Sequence, residues 1–325
     1  MMNLRRLIIH IGMDKTGSTA IQHVLNDNPL ALGRCGYRYI EAGRDEELNH
    51  QPLTTSAEET IDRWREIAEE FKQCTETGIV SFEGLYHYTE NHWNCILDMI
   101  SPHPITIVFY IRRQSEMICS GIAQRVKMRW GNLAFFEYTE TNFAEMACGY
   151  HDKLDMLARV FGHDRIHLRV YEDSQLINSD VVTDFFTTIG INLSNATIRD
   201  GFKESSQIAN PTIDVETIFV LDHLDKLGVD PETRFNAVQL LRPVSRSDRS
   251  TLVPDSITQA IEDTYSRDNR LVAECWFYRD TLFYDPPKFR YRQPDPVRVS
   301  ELFKLLEDNF IHCHESSKKP NTVLN

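Results

Sequence analysis

The chain has 325 residues, of which 41% are hydrophobic and 26% charged, and its formal net charge is −13. That is the composition of a globular protein with one large core or two modest ones, and the acidic balance argues against a broad nucleic-acid surface, which needs a basic face. Seven cysteines without a C-x-x-C pair argue against a zinc ribbon or dithiol centre, and no apolar run reaches the ~18 residues of a membrane span, so a cytoplasmic protein with reduced thiols is expected.

Residues 1–11 superficially resemble a secretory leader. The apolar run is short, contains His10 and leads into a glycine turn without a cleavage site, so it reads as a first strand over 7–11. Further strands are predicted at 79–82, 105–111 and 166–171, each apolar almost throughout, as in strands covered on both faces. Helical patterns lie between and after them, at 17–26, 56–74, 91–100, 113–130, 141–161 and 179–189. This alternation predicts an α/β fold: a three-layer parallel sheet of four to five strands with helices on both faces. Residues 190–211 read as a polar loop. Beyond it only helices are predicted, at 214–227, 256–279 and 297–310, the first with Ile218, Phe219, Leu221 and Leu224 on one apolar face. The expected organisation is a core over 1–212, a helical extension packed on it over 213–313, and a disordered tail over 314–325.

The most informative segment is Gly12-Met13-Asp14-Lys15-Thr16-Gly17-Ser18-Thr19, which follows a buried strand and opens a helix. Neither Gly12 nor Gly17 has a Cβ, so the backbone can turn tightly and approach a ligand. Amides at the start of the helix, the hydroxyls of Ser18 and Thr19, and the ammonium of Lys15 then converge as an anion cradle. The loop differs from a Walker A motif, whose lysine follows the second glycine and reaches the terminal phosphates of a nucleotide. Ser18 holds that place here.

This loop resembles the 5′-phosphosulfate loop of sulfotransferases that use 3′-phosphoadenylyl sulfate (PAPS). The flanking His10-Ile11 and Ala20-Ile21-Gln22 resemble its bacterial, carbohydrate-type branch. The resemblance spans residues 5–210 and implies a P-loop-like fold, with PAPS as co-substrate bound by Gly12, Asp14, Lys15, Thr16, Gly17, Ser18 and Thr19. Arg112 ends the strand over 105–111, where ligands of open parallel sheets sit, and Ser120 stands eight residues on. That spacing resembles the family's 3′-phosphate motif, although Gln114-Ser115 and Ile122 replace the family's usual proline and aromatic residue. Lys203, within Gly201–Ser206, occupies the place of a cation that caps the nucleotide.

Sulfuryl transfer passes through a loose, in-line transition state, so positioning and charge stabilisation should dominate, as in phosphoryl transfer. Lys15 would neutralise the bridging oxygen of the leaving phosphate. No metal is required, because the leaving group is a single phosphate already held by donors. Ser81-Phe82-Glu83-Gly84-Leu85 resembles a Ser-x-Glu-x-Leu stretch of the family, which makes Glu83 the candidate base and His50 its rival. Tyr86, His87, Tyr88, His92 and Trp93 could stack on an acceptor or pack in the core. Arg125, Lys127 and Arg129 either face an anionic ligand or water. The expected acceptor is a hydroxylated small molecule, lipid or carbohydrate; a P-loop kinase and a non-catalytic nucleotide-binding module are the alternatives. Nothing in the sequence sets the oligomeric state.

Overall fold

The computed structural model describes residues 5–13, 15–45, 49–50, 57–128, 149–193, 201–202, 213–246 and 248–316, with side chains omitted at 57–59 and 310–316. Its elements in chain order begin with β1 (Leu7–Gly12), α1 (Ser18–Asp27), α2 (Pro29–Arg34), β2 (Tyr37–Tyr39) and α3 (Ala57–Gln73). There follow β3 (Thr77–Ser81), a 3-10 turn over Glu83–His87, α4 (Glu90–Ile100), β4 (Ile105–Ile111), α5 (Gln114–Met128), α6 (His151–Phe161) and β5 (Ile166–Val170). The remainder comprises α7 (Val181–Ile189), α8 (Val215–Lys226), α9 (Pro231–Leu241), β6 (Ser250–Thr251), α10 (Asp255–Phe277), β7 (Arg290–Tyr291) and α11 (Pro296–Ser316).

By contact density the chain divides into two units. One comprises Met1–Met117, Cys148–Ala209 and Asp263–Pro286; the other comprises Ile118–Ala147, Asn210–Glu262 and Pro287–Asn325. The first is built on a five-stranded sheet of order β2-β3-β1-β4-β5, parallel at every pairing. This is the expected α/β fold, a parallel sheet of five strands with helices packed on it. Every residue of β1 and β4 is buried, as a strand covered on both faces requires. Because side chains alternate across a strand, Ile8, Val108 and Tyr110 face α1 and α7, meeting Ile21, Leu25, Phe185 and Phe186. On the opposite face Phe71 of α3 stands beside Leu7 and Gly78, and Trp93 of α4 packs edge-on against Phe161 of α6, with ring centroids 5.4 Å apart.

A buried carboxylate fastens one edge of this sheet. Asp184, fully enclosed on α7, accepts hydrogen bonds from the Tyr110 hydroxyl (2.6 Å), the Arg169 guanidinium and the Ile177 amide (3.0 Å). It thereby joins β4, β5 and α7. Burial, and then the charge of Asp184, raise the Tyr110 phenol well above its ordinary value, so it remains a hydrogen-bond donor.

In the second unit Asp214 caps α8 by accepting from the Thr217 amide at 2.8 Å, and Asp230 caps α9 through Glu232 and Thr233. Arg234 and Asp225 form an ion pair with both side chains under a tenth exposed. Glu216, fully buried, is held by Arg292 and by the Asp295 amide. Two expectations are corrected here. The region after 213 is not wholly helical, since β6 and β7 form a short parallel ladder. Phe219 leaves the apolar face assigned to it: it is 40% exposed, whereas Ile218, Val220, Leu221 and Leu224 are buried. The expected loop over 190–211, the first half of the helix over 141–161 and the end of the tail lie largely outside the described residues.

Candidate anion-binding site

The candidate site begins where β1 ends. The Met13 amide donates to the Tyr110 carbonyl of β4 (3.1 Å), continuing the sheet one residue past Gly12. Thr16 then donates both its amide (3.2 Å) and its hydroxyl (2.6 Å) to the Met13 carbonyl, closing a tight turn. Two residues of the loop are left-handed: Lys15 at φ 65° and Gly17 at φ 79°. For Gly17 this costs little; for Lys15 it stores about 1–2 kcal/mol. Asp14 lies outside the described residues.

Gly17 is the N-cap of α1 and carries no capping side chain. The Ala20 and Ile21 amides both turn back to the Gly17 carbonyl, at 3.0 and 3.3 Å, whereas the Ser18 and Thr19 amides ahead of them have no side-chain cap among the described residues. Ser18 is 1% exposed, and its hydroxyl has no hydrogen-bond partner among the described residues. An orphaned buried hydroxyl costs about 1–3 kcal/mol, which a ligand oxygen would recover. A Cβ at Gly12 would lie 2.1 Å from Ser18 Oγ and 2.8 Å from Thr16 Oγ1, so both hydroxyls fold over Gly12. The loop thus presents unsatisfied hydroxyl and amide donors at the positive end of a helix dipole, chemistry that suits an oxyanion. Thr19 is exposed, and Lys15 is half-buried.

Arg112 is placed beside this loop and is held by the protein's own groups. One guanidinium nitrogen donates to the Lys15 carbonyl at 2.7 Å, while Nε and Nη2 reach Glu116 at 3.3 and 3.2 Å. Both side chains are under a tenth exposed. Tyr171 lies under the guanidinium at 5.4 Å, and the Tyr150 hydroxyl donates to the Arg112 carbonyl. Arg112 therefore clasps the loop to the end of β4. Glu116, Tyr150 and Tyr171 were not singled out in the sequence; only the i, i+4 spacing of Arg112 and Glu116 advertised a pairing. The Gln114 position, where the chain departs from the family pattern, holds a buried amide that exchanges two hydrogen bonds with Asn269 (2.9 and 3.0 Å). Ser120 is buried within α5, whose Arg125 and Lys127 are half-buried. Lys203 and Arg129 lie outside the described residues.

Next to the loop stands the end of β3. The register pairs His10 with Ser81, and the Phe82 amide donates to the His10 carbonyl at 3.2 Å. Glu83 therefore begins its 3-10 turn level with Gly12 on the neighbouring strand, and its residue is half-buried. Of the aromatic residues that follow, Tyr88 and Trp93 are core, with the Trp64 indole donating to the Tyr88 hydroxyl at 3.1 Å. Tyr86 is half-buried, its hydroxyl donating to the Gly149 carbonyl at 3.0 Å and its ring lying under the Lys153 ammonium at 5.0 Å, while His87 is exposed with its ring edge-on to Tyr86 at 5.6 Å.

His50 differs from Glu83 in its setting. It is fully enclosed, its amide donates to the Ser81 carbonyl at 3.2 Å, and Tyr39 packs edge-on against its ring at 5.4 Å. Burial pushes its imidazole down to about 3, so it is neutral and a weak proton acceptor near pH 7. His10 is likewise fully buried and depressed to about 3 by burial; its Nδ1 meets Ser81 Oγ at 2.8 Å, while its Nε2 has no partner among the described residues. Among the described residues, no group of three or more His, Cys, Asp or Glu is placed to hold a metal ion, and no helix is long and apolar enough to cross a membrane.

No family model matches the chain. An uncharacterized protein from Archaeoglobus fulgidus is 22% identical over 219 residues, which are 66% of this chain and 58% of that protein. The chain thus spans less than two thirds of that relative. Among solved structures, a sulfotransferase from Alicyclobacillus acidocaldarius aligns with a TM-score of 0.41 and 15% identity, over 71% of this chain and 98% of that one. The sulfotransferase domain of the Synechococcus PCC 7002 olefin synthase aligns with a TM-score of 0.37 and 14% identity, over 81% and 95%.

Proposed function

We propose that this protein is a sulfotransferase that moves a sulfuryl group from PAPS to a hydroxyl of a carbohydrate or other small acceptor, in line and without a metal. The observation that carries this is the loop that follows Gly12, where an enclosed Ser18 hydroxyl and a helix N-terminus, both without a side-chain partner among the described residues, meet above a glycine with no room for a methyl group. The 5′-phosphate of the donor would take these donors. Lys15, held in a left-handed conformation with its carbonyl clasped by Arg112, would place its ammonium at the bridging oxygen. As the S–O bond to the phosphate breaks and a new S–O bond to the acceptor forms, the electron pair stays on that phosphate oxygen, where Lys15 neutralises it. Glu83 takes the acceptor's proton. His50, enclosed and depressed, is assigned to packing. Arg112 keeps the loop in register and is the β4-end cation that the resemblance assigns to the 3′-phosphate.

A kinase reading is disfavoured by Ser18, which stands where a Walker A loop needs its phosphate-reaching lysine. Incubation of the purified protein with PAPS and a panel of sugars, lipids and phenols, in the presence of a chelator, is expected to release 3′-phosphoadenosine 5′-phosphate (PAP) with at least one acceptor. Phosphorylation of the panel from ATP, dependent on magnesium, would instead support a kinase.

A further inference from the structure

One polar side chain lies beneath both halves of the proposed site. Ser81 is the last residue of β3, two positions before Glu83, and is fully buried. Its hydroxyl meets His10 Nδ1 of β1 at 2.8 Å and receives a hydrogen bond from Gln22 Nε2 of α1 at 3.1 Å. Its amide and carbonyl both face His50, at 3.3 and 3.2 Å. Gln22 is four residues beyond Ser18, hence on the same face of α1 one turn below the loop. A single hydroxyl therefore ties together the strand that feeds the loop, the helix that leaves it and the strand that delivers Glu83.

Ser81 Oγ accepts from Gln22 and, with one proton of its own and a second lone pair, pairs with His10 Nδ1 in either tautomer of the imidazole. The His10 ring is fixed in place by Tyr110 and Phe185, at centroid distances of 5.6 and 5.1 Å.

We infer that Ser81, with His10 and Gln22, is a positioning residue that sets the height of the anion loop relative to Glu83. The inference rests on the proposed donor site and says how that site is held in shape. Loss of the hydroxyl leaves Gln22 and His10 without their common partner inside the protein, and the first turn of α1 loses its tie to β3.

The test is calorimetric titration with PAP of the wild type, Ser81→Ala, Ser81→Thr, His10→Asn and His10→Gln. Removing a support that preorganises a binding loop is expected to weaken PAP binding about tenfold in Ser81→Ala, and Ser81→Thr, which keeps the hydroxyl, restores it. Asn places a polar atom where Nδ1 stands and Gln does not, so His10→Asn should bind like wild type and His10→Gln like Ser81→Ala. A merely structural Ser81 would lower the melting temperature and leave the PAP Kd unchanged, which would overturn the inference and spare the donor site. If Ser81→Ala does not fold, equal PAP binding by the two His10 variants overturns it equally. Failure of the wild type itself to bind PAP would overturn both.

Discussion

Lys15→Ala is expected to lower kcat for PAPS turnover by about 10²–10³-fold, the scale of removing one preorganised charge-stabilising donor, with a smaller rise in the KM for PAPS. The loop geometry explains why the effect should fall on the chemical step. Lys15 is left-handed, and its carbonyl is held by Arg112, so the direction of its side chain is set by the backbone before the donor arrives. Alanine at φ 65° bears nearly the same backbone strain as lysine, so the variant should fold and unfold like the parent. What disappears is the positive charge proposed to meet the atom that gains negative charge only as the S–O bond breaks. A rise in KM with kcat preserved would make Lys15 a ground-state contact.

Gly12→Ala should be the most damaging single methyl group in the sheet domain. Its Cβ would stand 2.1 Å from Ser18 Oγ and 2.8 Å from Thr16 Oγ1, so the loop must open or both hydroxyls must turn out of it. Overpacking of this kind costs about 1–3 kcal/mol. Because the displaced groups are the proposed phosphate ligands, PAP affinity should fall by a comparable amount, about 10–100-fold. Gly33 on α2 supplies the control: a Cβ there meets nothing within 4 Å, and alanine in a helix is worth up to about 1 kcal/mol over glycine. Gly33→Ala should bind PAP like wild type and melt no lower. Equal PAP affinity in Gly12→Ala and Gly33→Ala would show that the turn does not hold the ligand.

How much of this was legible in the sequence differs by element. β1 and β4 announce themselves because a strand buried on both faces is apolar at every position. β2 does not: it has three residues, with Arg38 among them, sits at the sheet edge and is only half-buried, so neither periodicity nor composition marks it. The anion loop was readable because two glycines, a lysine and Ser-Thr between strand and helix leave few other geometries. The posture of Arg112 was not. Its Glu116 partner is one helical turn away, but the Lys15 carbonyl lies 97 residues upstream, and only the β1–β4 pairing brings them together. Ser81 reads in the sequence only as the start of a Ser-x-Glu-x-Leu stretch, and its link to β1 emerges once the register sets it opposite His10. Gln114 reads as a departure from a family pattern and proves to be half of a buried amide pair with a residue 155 positions away. Phe219 was misassigned because α8 is apolar on more than one side, with Val215, Ile218, Val220, Leu221 and Leu224 all buried, and its packing neighbours rather than its own period decide which residue faces out.

The central claim, that the loop over 12–19 grips the 5′-phosphate end of a 3′-phosphorylated adenine nucleotide, is tested most directly by thermal unfolding of the wild-type chain with PAP or with ATP and magnesium. A ligand that binds only the folded state at 100 times its Kd adds about 2.7 kcal/mol, enough to raise the melting temperature by several degrees. PAP is expected to produce that rise and ATP with magnesium to leave the transition in place. Stabilisation by ATP with none from PAP would contradict the account.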